Sequence, residues 1–216
     1  MNTIKYDTII WDFNGTILDD IELCRAIINS FLERYTLPQL SLEEYREIFC
    51  FPIEAYYAKT GVTAYADFSE LALQFNELYR AKVDQLRCFS DVEGAIKALA
   101  NKGVKQLVIS ATKQQDLREQ MSALGLTEYF DELLGIADYY AAGKAELAWD
   151  WLQANRQPNE RLLVIGDTDH DYEIAELLMG ECWLIARGHM SFRRLQQTGA
   201  VVLKDAGNLL ELLTNR

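Results

Sequence analysis

Histidine is scarce in this chain, cysteine is unpaired and proline nearly missing. The 216 residues hold two histidines (His170, His189), three prolines and four cysteines at positions 24, 50, 88 and 182. No two cysteines form a C-x-x-C pair, so a zinc site is not expected. Thiols spaced in this way read as reduced and mostly buried. No apolar run approaches the roughly 18 residues of a membrane helix, and no basic stretch precedes an apolar one near residue 1. A soluble, cytoplasmic protein is expected, with no membrane partner. Positive charge is also short, with 21 Lys and Arg against 33 Asp and Glu, or −12 formally. That average field repels a phosphate backbone, so no nucleic-acid partner is expected. A local basic pocket for a small anion stays open.

What is present is a patterned core, since half of the residues are hydrophobic. Residues 6–12 read as a buried strand ending at Asp12, a short β-branched and aromatic run without helical spacing. From about 19 to 88 the pattern is helical. "DIELCRAIINSFLERYTL" puts Ile21, Cys24, Ile27, Ile28, Phe31 and Leu32 on one face. "SLEEYREIF" spells a capping box, Ser41 with Glu44. "DFSELALQFNELYRAKVDQL" is amphipathic behind a cap at Asp67 or Ser69. After 88, strands alternate with helices: "VKQLVIS" (104–110), "DELLG", "RLLVIG" (161–166), "CWLIA" and "AVVL" as strands, with "KQQDLREQMSALGL", "GKAELAWDWLQAN", "DYEIAELLMG", "SFRRLQQTG" and "DAGNLLELLTNR" as helices. Nearly all-apolar strands between helices imply an α/β fold, a doubly wound parallel sheet covered on both faces. The expected organisation is an α/β core from 1–18 and 89–216, interrupted by an all-helical insert at 19–88. No repeat or low-complexity linker appears.

In such a sheet, ligands bind beyond the carboxyl ends of the strands. Asp12 follows the first strand, Ser110 follows "QLVI", Lys144 follows "DELLG" and a loop, and Asp167 and Asp171 follow "LLVIG". Singly, each could be a helix cap or a loop residue. Their joint occurrence in this order is harder to dismiss.

"DFNGT" at 12–16, Ser110, Lys144 in "GK" and "GDTDHD" at 166–171 together resemble the motifs of the haloacid dehalogenase-like (HAD) hydrolase superfamily. The resemblance reaches its phosphoglycolate-phosphatase-like branch, whose helical cap occupies the place of the insert. It spans nearly the whole chain and implies a Rossmann-like core with a cap domain. It also implies a Mg²⁺-dependent phosphatase of a small phosphorylated metabolite. Asp12 would be the nucleophile that forms an aspartyl phosphate. Asp12, Asp167, Asp171 and the main-chain carbonyl of Asn14 would serve Mg²⁺. Lys144 would neutralise nucleophile and phosphate. Ser110 and the amide of Ala111 would bind phosphate oxygens. Gly15 would allow close backbone approach, and Thr16 would brace the turn.

Asn14 departs from the pattern. The family's D-x-D-G-T has an acid there, which protonates the leaving group and later activates water. An amide only hydrogen-bonds, and loss of a general acid–base costs about 10²–10⁴ in rate. One reading is a phosphatase for substrates with good leaving groups, or one using another donor such as His189 or His170. A second is a weakly active or non-catalytic phosphometabolite-binding protein. A third treats Asn14 as engineered, or as deamidating ahead of Gly15, which would restore the acid. A true dehalogenase fits the acids at 167, 169 and 171 poorly. A phosphonate hydrolase would need an insert lysine, Lys59 or Lys82, for a Schiff base.

The insert would close over the site and set specificity. Within it "SLEEYREIFCFP" resembles the family's specificity segment, with Cys50 where a glycine is common. Arg46 is the candidate for a substrate carboxylate or phosphate, against an ion pair with Glu43. Phe51, Tyr56 and Tyr57 could line an aromatic pocket or pack the core. Both monomer and dimer suit these features.

Overall fold

The computed structural model describes residues 4–137 and 143–214. The ends of the expected core and the loop just ahead of Gly143 lie outside them. Six parallel strands make one sheet: β1 (Thr8–Trp11), β2 (Lys105–Lys113), β3 (Glu132–Ile136), β4 (Leu162–Gly166), β5 (Glu181–Ile185) and β6 (Val201–Leu203). Their order is β3-β2-β1-β4-β5-β6. The helices in chain order are α1 (Ile21–Arg34), α2 (Leu42–Ile48), α3 (Ile53–Thr60), α4 (Phe68–Arg80), α5 (Ser90–Asn101), α6 (Gln114–Ala123), α7 (Lys144–Asn155), α8 (Asp169–Leu177), α9 (Phe192–Leu195) and α10 (Leu209–Thr214).

Side chains alternate along each strand and so divide the core. Ile9, Trp11, Val108, Leu163, Ile165, Trp183 and Ile185 join one cluster, with α5, α6, α10 and the insert. Ile10, Leu107, Ile109, Leu162, Val164, Cys182 and Leu184 join another, under α7 and α8. A strand that must satisfy two apolar layers has no polar face, hence the continuous runs "TIIW" and "LLVIG". The expected doubly wound α/β sheet is the observed one. Its strand order reverses between β1 and β4, whose carboxyl ends carry Asp12 and Asp167.

Among the described residues, the segment between β1 and α5 holds α1–α4 and two 3₁₀ turns, and no strand. Its caps are those the sequence spells. Ser41 Oγ accepts from the Glu44 amide, and the Glu44 carboxylate accepts from the Ser41 amide at 2.8 Å. Asp67, rather than Ser69, caps α4. The chain leaves and re-enters the core side by side: Leu18 bridges Cys88, and the Phe89 amide donates to Ile17 O at 3.1 Å.

Two elements differ from expectation. β2 runs on to Lys113 rather than stopping at Ser110, with a register shift against β3 between Ser110 and Lys113. Such an irregularity re-aims a strand end, and here it carries Ala111, Thr112 and Lys113 toward the site. The stretch 191–199 forms only a four-residue helix, α9, followed by turns.

Candidate active site

The site starts from one lysine. Lys144 opens α7 behind Gly143, whose φ of +91° turns the chain into the helix. The ammonium donates to Asp12 Oδ1 at 2.5 Å and to Asp171 Oδ1 at 2.6 Å, and all three side chains are buried. Asp171 is fixed by its other oxygen, which accepts from the amides of Asp167 and Thr168 and from the Thr168 hydroxyl. Asp167 accepts from Thr16 Oγ1 at 2.9 Å and from the His189 amide at 2.5 Å. Gly15, at φ +74°, lies so close that a Cβ there would stand 2.6 Å from Asp167 Oδ2. A side chain at position 15 would therefore meet both strain and collision.

Carboxylate oxygens of Asp12, Asp167 and Asp171 lie within 4.8 Å of one another. Burial pushes Asp12 well above the usual carboxylate range; Lys144 opposes this, and the two other acids add to it. Burial likewise raises Asp167, against the pull of His189. For Asp171 burial is outweighed by Lys144, and its pKa falls. Burial disfavours the charged ammonium, but Asp12 and Asp171 overcome that and raise the pKa of Lys144. Three acids thus face one ammonium in a dry site. This all-oxygen, electron-rich donor set suits a hard divalent cation.

Asn14 has its own surroundings. Its Oδ1 accepts from the Thr112 hydroxyl at 2.7 Å, and its amide nitrogen donates to Asp20 Oδ2 at 2.8 Å and to the Tyr79 hydroxyl at 2.9 Å. Asp20 is the residue that motif reading missed. It is buried and also accepts from the Gly15 amide, the Tyr79 hydroxyl and the Cys24 thiol. His189 Nε2 stands 3.4 Å from Asp20 Oδ1, and Nδ1 meets the Tyr45 hydroxyl at 2.8 Å. Burial opposes the Asp20 charge, but His189 and the hydrogen bonds more than compensate, so its pKa falls. Burial likewise opposes a charged His189, whereas Asp20 raises it on balance. The environment of position 14 is thus built for an amide, because an ionised acid there would face the Asp20 carboxylate.

Above Asp12 opens a cavity of about 190 Å³. The core contributes Asp12, Asn14, Ala111, Thr112, Lys113, Lys144, Thr168 and His189; the insert contributes Phe49, Phe51, Tyr57, Phe68, Phe75 and Tyr79 among others. Two expectations need correction. Ser110 lies buried beneath the lining, its Oγ accepting from the Thr112 amide, because the longer β2 brings Ala111 and Thr112 to the surface instead. Arg46 does not reach the cavity; its guanidinium donates to the carbonyls of Gly188, at 2.8 Å, and Arg187, tying α2 to the loop after β5. Tyr56 packs between Tyr45, Phe49 and Tyr57, while Phe51 and Tyr57 do line the cavity. His170 pairs with Glu173 on its own helix. Lys59 points to Ile48 O and Cys50, and neither it nor Lys82 is in the lining.

The family model for haloacid dehalogenase-like hydrolases matches residues 9–178. The chain belongs to that family. Solved structures agree on the fold of this HAD-like hydrolase. It resembles a haloacid dehalogenase-like hydrolase of Streptococcus pneumoniae, with TM-score 0.78, 18% identity, and coverage of 96% of this chain and 98% of that one. A provisionally assigned phosphoglycolate phosphatase of Lactobacillus delbrueckii subsp. bulgaricus superposes with TM-score 0.74 at 20% identity, over 99% and 100% of the chains. Protein Tyrosine Kinase A of Mycobacterium tuberculosis does so with TM-score 0.79 at 18% identity, over 96% and 98%. Identities this low establish the shared fold alone. No curated protein matches the HAD-like chain.

Proposed function

We propose that this HAD-like hydrolase is a Mg²⁺-dependent phosphomonoesterase of a small phosphorylated metabolite, acting through a phosphorylated Asp12. The observation that carries the reading is the Lys144 ammonium held between Asp12 and Asp171 at the floor of the cavity. Lys144 favours the ionised form of Asp12 against the effect of burial, aims its carboxylate, and would screen the repulsion between carboxylate and phosphate. Asp12, Asp167, Asp171 and the Asn14 carbonyl would hold Mg²⁺. Bound there, the ion would supply positive charge to the phosphoryl oxygens. The main-chain amide of Ala111 would bind the phosphate, with Gly15 admitting it closely. Residues 19–88 would act as the cap, entering and leaving through the paired joints at Leu18 and Cys88. Four free cysteines and a charge of −12 support a cytoplasmic protein with a small-molecule partner. No helix among the described residues is long and apolar enough to cross a membrane.

The test is phosphate release from small phosphate esters and acetyl phosphate, with Mg²⁺ or with EDTA, alongside mass detection of phosphorylated Asp12. Release that needs both Mg²⁺ and Asp12, lost in Asp12→Asn and reduced about 10²-fold or more in Lys144→Ala, supports the reading. The fully engaged amide of Asn14 favours a second reading, a phosphometabolite-binding protein. Phosphate binding without any phosphorylated Asp12 would establish it instead.

A further inference from the structure

We infer that the substrate is an aryl phosphate, an ester whose leaving group is a single flat apolar ring with an acidic hydroxyl. This rests on the phosphatase reading and deepens it. Two independent observations converge on the inference. The first is the wall facing Asp12, where the insert presents Phe49, Phe51, Tyr57, Phe68, Phe75 and Tyr79. Their rings already meet edge-on or stacked: Phe49 with Phe51 at 5.7 Å, Tyr57 with Phe68 at 5.4 Å and Phe75 with Tyr79 at 6.0 Å. Besides these rings, the insert adds only two polar side chains to this lining, Asn76 and Arg80, which are already bonded to Ala72 O and paired with Asp116 respectively, so the wall rewards a ring. The cavity of about 190 Å³ must hold the phosphoryl group beside Asp12 as well as the leaving group, which leaves room for one ring at most, since an apolar cavity of roughly 150 Å³ takes up benzene.

The second observation is where the protons are. Both amide hydrogens of Asn14 are directed at Asp20 and Tyr79. Both nitrogens of His189 meet buried partners, Tyr45 and Asp20. Lys144 is spent on two carboxylates. None of these neighbours of Asp12 has a proton placed for an alkoxide. A phenol has a pKa of about 10, so a phenolate leaves without one. An alcohol near the ~16 of water does not. In the step assigned here, an Asp12 carboxylate oxygen attacks phosphorus and the P–O(aryl) bond breaks. Its electron pair leaves with the phenolate, which is protonated by solvent. Water then attacks the phosphorus of the acyl phosphate and the Asp12 carboxylate departs. Its oxygen ends in inorganic phosphate, and its two protons balance the phosphate and the phenol.

The experiment compares phenyl, benzyl and acetyl phosphates on the full chain with Mg²⁺. Benzyl phosphate keeps the ring but leaves as an alkoxide; acetyl phosphate leaves easily but has no ring. Phenyl phosphate is expected to exceed benzyl phosphate in kcat/KM by about 10²-fold or more and to have a KM at least about tenfold below that of acetyl phosphate. Phe75→Ala is expected to lower the phenyl-to-acetyl ratio of kcat/KM about tenfold. Equal kcat/KM for benzyl and phenyl phosphates overturns the inference by showing that a proton is supplied. Equal KM for phenyl and acetyl phosphates, or an unmoved ratio in Phe75→Ala, overturns it by showing that the ring is not recognised. In all these cases the phosphatase reading survives. If none of the three esters phosphorylates Asp12, that reading falls and the inference with it.

Discussion

Asn14 and Asp20 are matched to each other, and that pairing can be exchanged. Asn14→Asp alone sets a second carboxylate against Asp20 and is expected to cost about 1–3 kcal/mol at neutral pH. The new acid would have a raised folded-state pKa. Its stability would be intact below the ordinary carboxylate range and lost as pH rises through the folded value. Urea denaturation at pH 5 and pH 8 checks this, since the deficit should be larger at pH 8. The double variant Asn14→Asp/Asp20→Asn restores one amide and one acid, so it should regain much of the loss. The native Asp20–His189 pair has its own pH signature. The depressed Asp20 contributes above its unfolded value of 3.8, and this is lost as pH falls further. The raised His189 contributes fully below 6.5, and this is lost as pH climbs through its folded pKa. His189→Phe should therefore flatten the alkaline decline in stability, measured as Tm from pH 6 to 9. Motif spacing made Asp12, Asn14, Lys144, Asp167 and Asp171 legible as a group. It could not reveal Asp20, which reads locally as one of two acids before a helix. Its partners Tyr79 and His189 are far away in sequence.

Between elements, the joint of α2 with the loop after β5 is made of arginine on carbonyl oxygen. Arg46 reaches the carbonyls of 187 and 188, and Arg194 returns to those of Arg46 and Phe49. This explains why sequence reading misassigned Arg46. Backbone acceptors have no letter of their own, so an arginine bound to them looks like one awaiting an anion. Arg46→Met should lose about 1–3 kcal/mol of stability through charge-assisted bonds, measured by denaturant unfolding. Were Arg46 a substrate ligand instead, KM would rise with stability intact. The strand ends obey a similar limit. Apolar runs located every strand, but the extension of β2 depends on Gly135 across the sheet, where a Cβ would stand 2.5 Å from Thr112 O. Gly135→Ala should displace the 111–113 segment, at about 1–3 kcal/mol, with kcat/KM falling more than stability alone explains.

For the molecule as a whole, three buried acids against one ammonium leave negative charge that folding must contain. Mg²⁺ binding to the folded state alone should add about 2.7 kcal/mol at a hundredfold excess over Kd. For a chain of this size that is roughly 5–10 °C in Tm. Asp167→Asn should shrink the shift, and scanning calorimetry with and without Mg²⁺ reads it directly. The doubly wound architecture was legible because alternation of strand and helix is a local signal. Strand order also has a temporal side. The first strand of the chain sits at the middle of the sheet, and Trp11 is paired with Val108 on one side and, to complete its pairing, with Ile165 on the other. During synthesis at about 5–20 residues per second, roughly 150 further residues must emerge before both edges of this strand are paired, a wait of about 8–30 s. Helices α1–α4 need only their neighbours and can form meanwhile. The nascent first strand, apolar on both faces, is thus a segment in need of shelter on the ribosome.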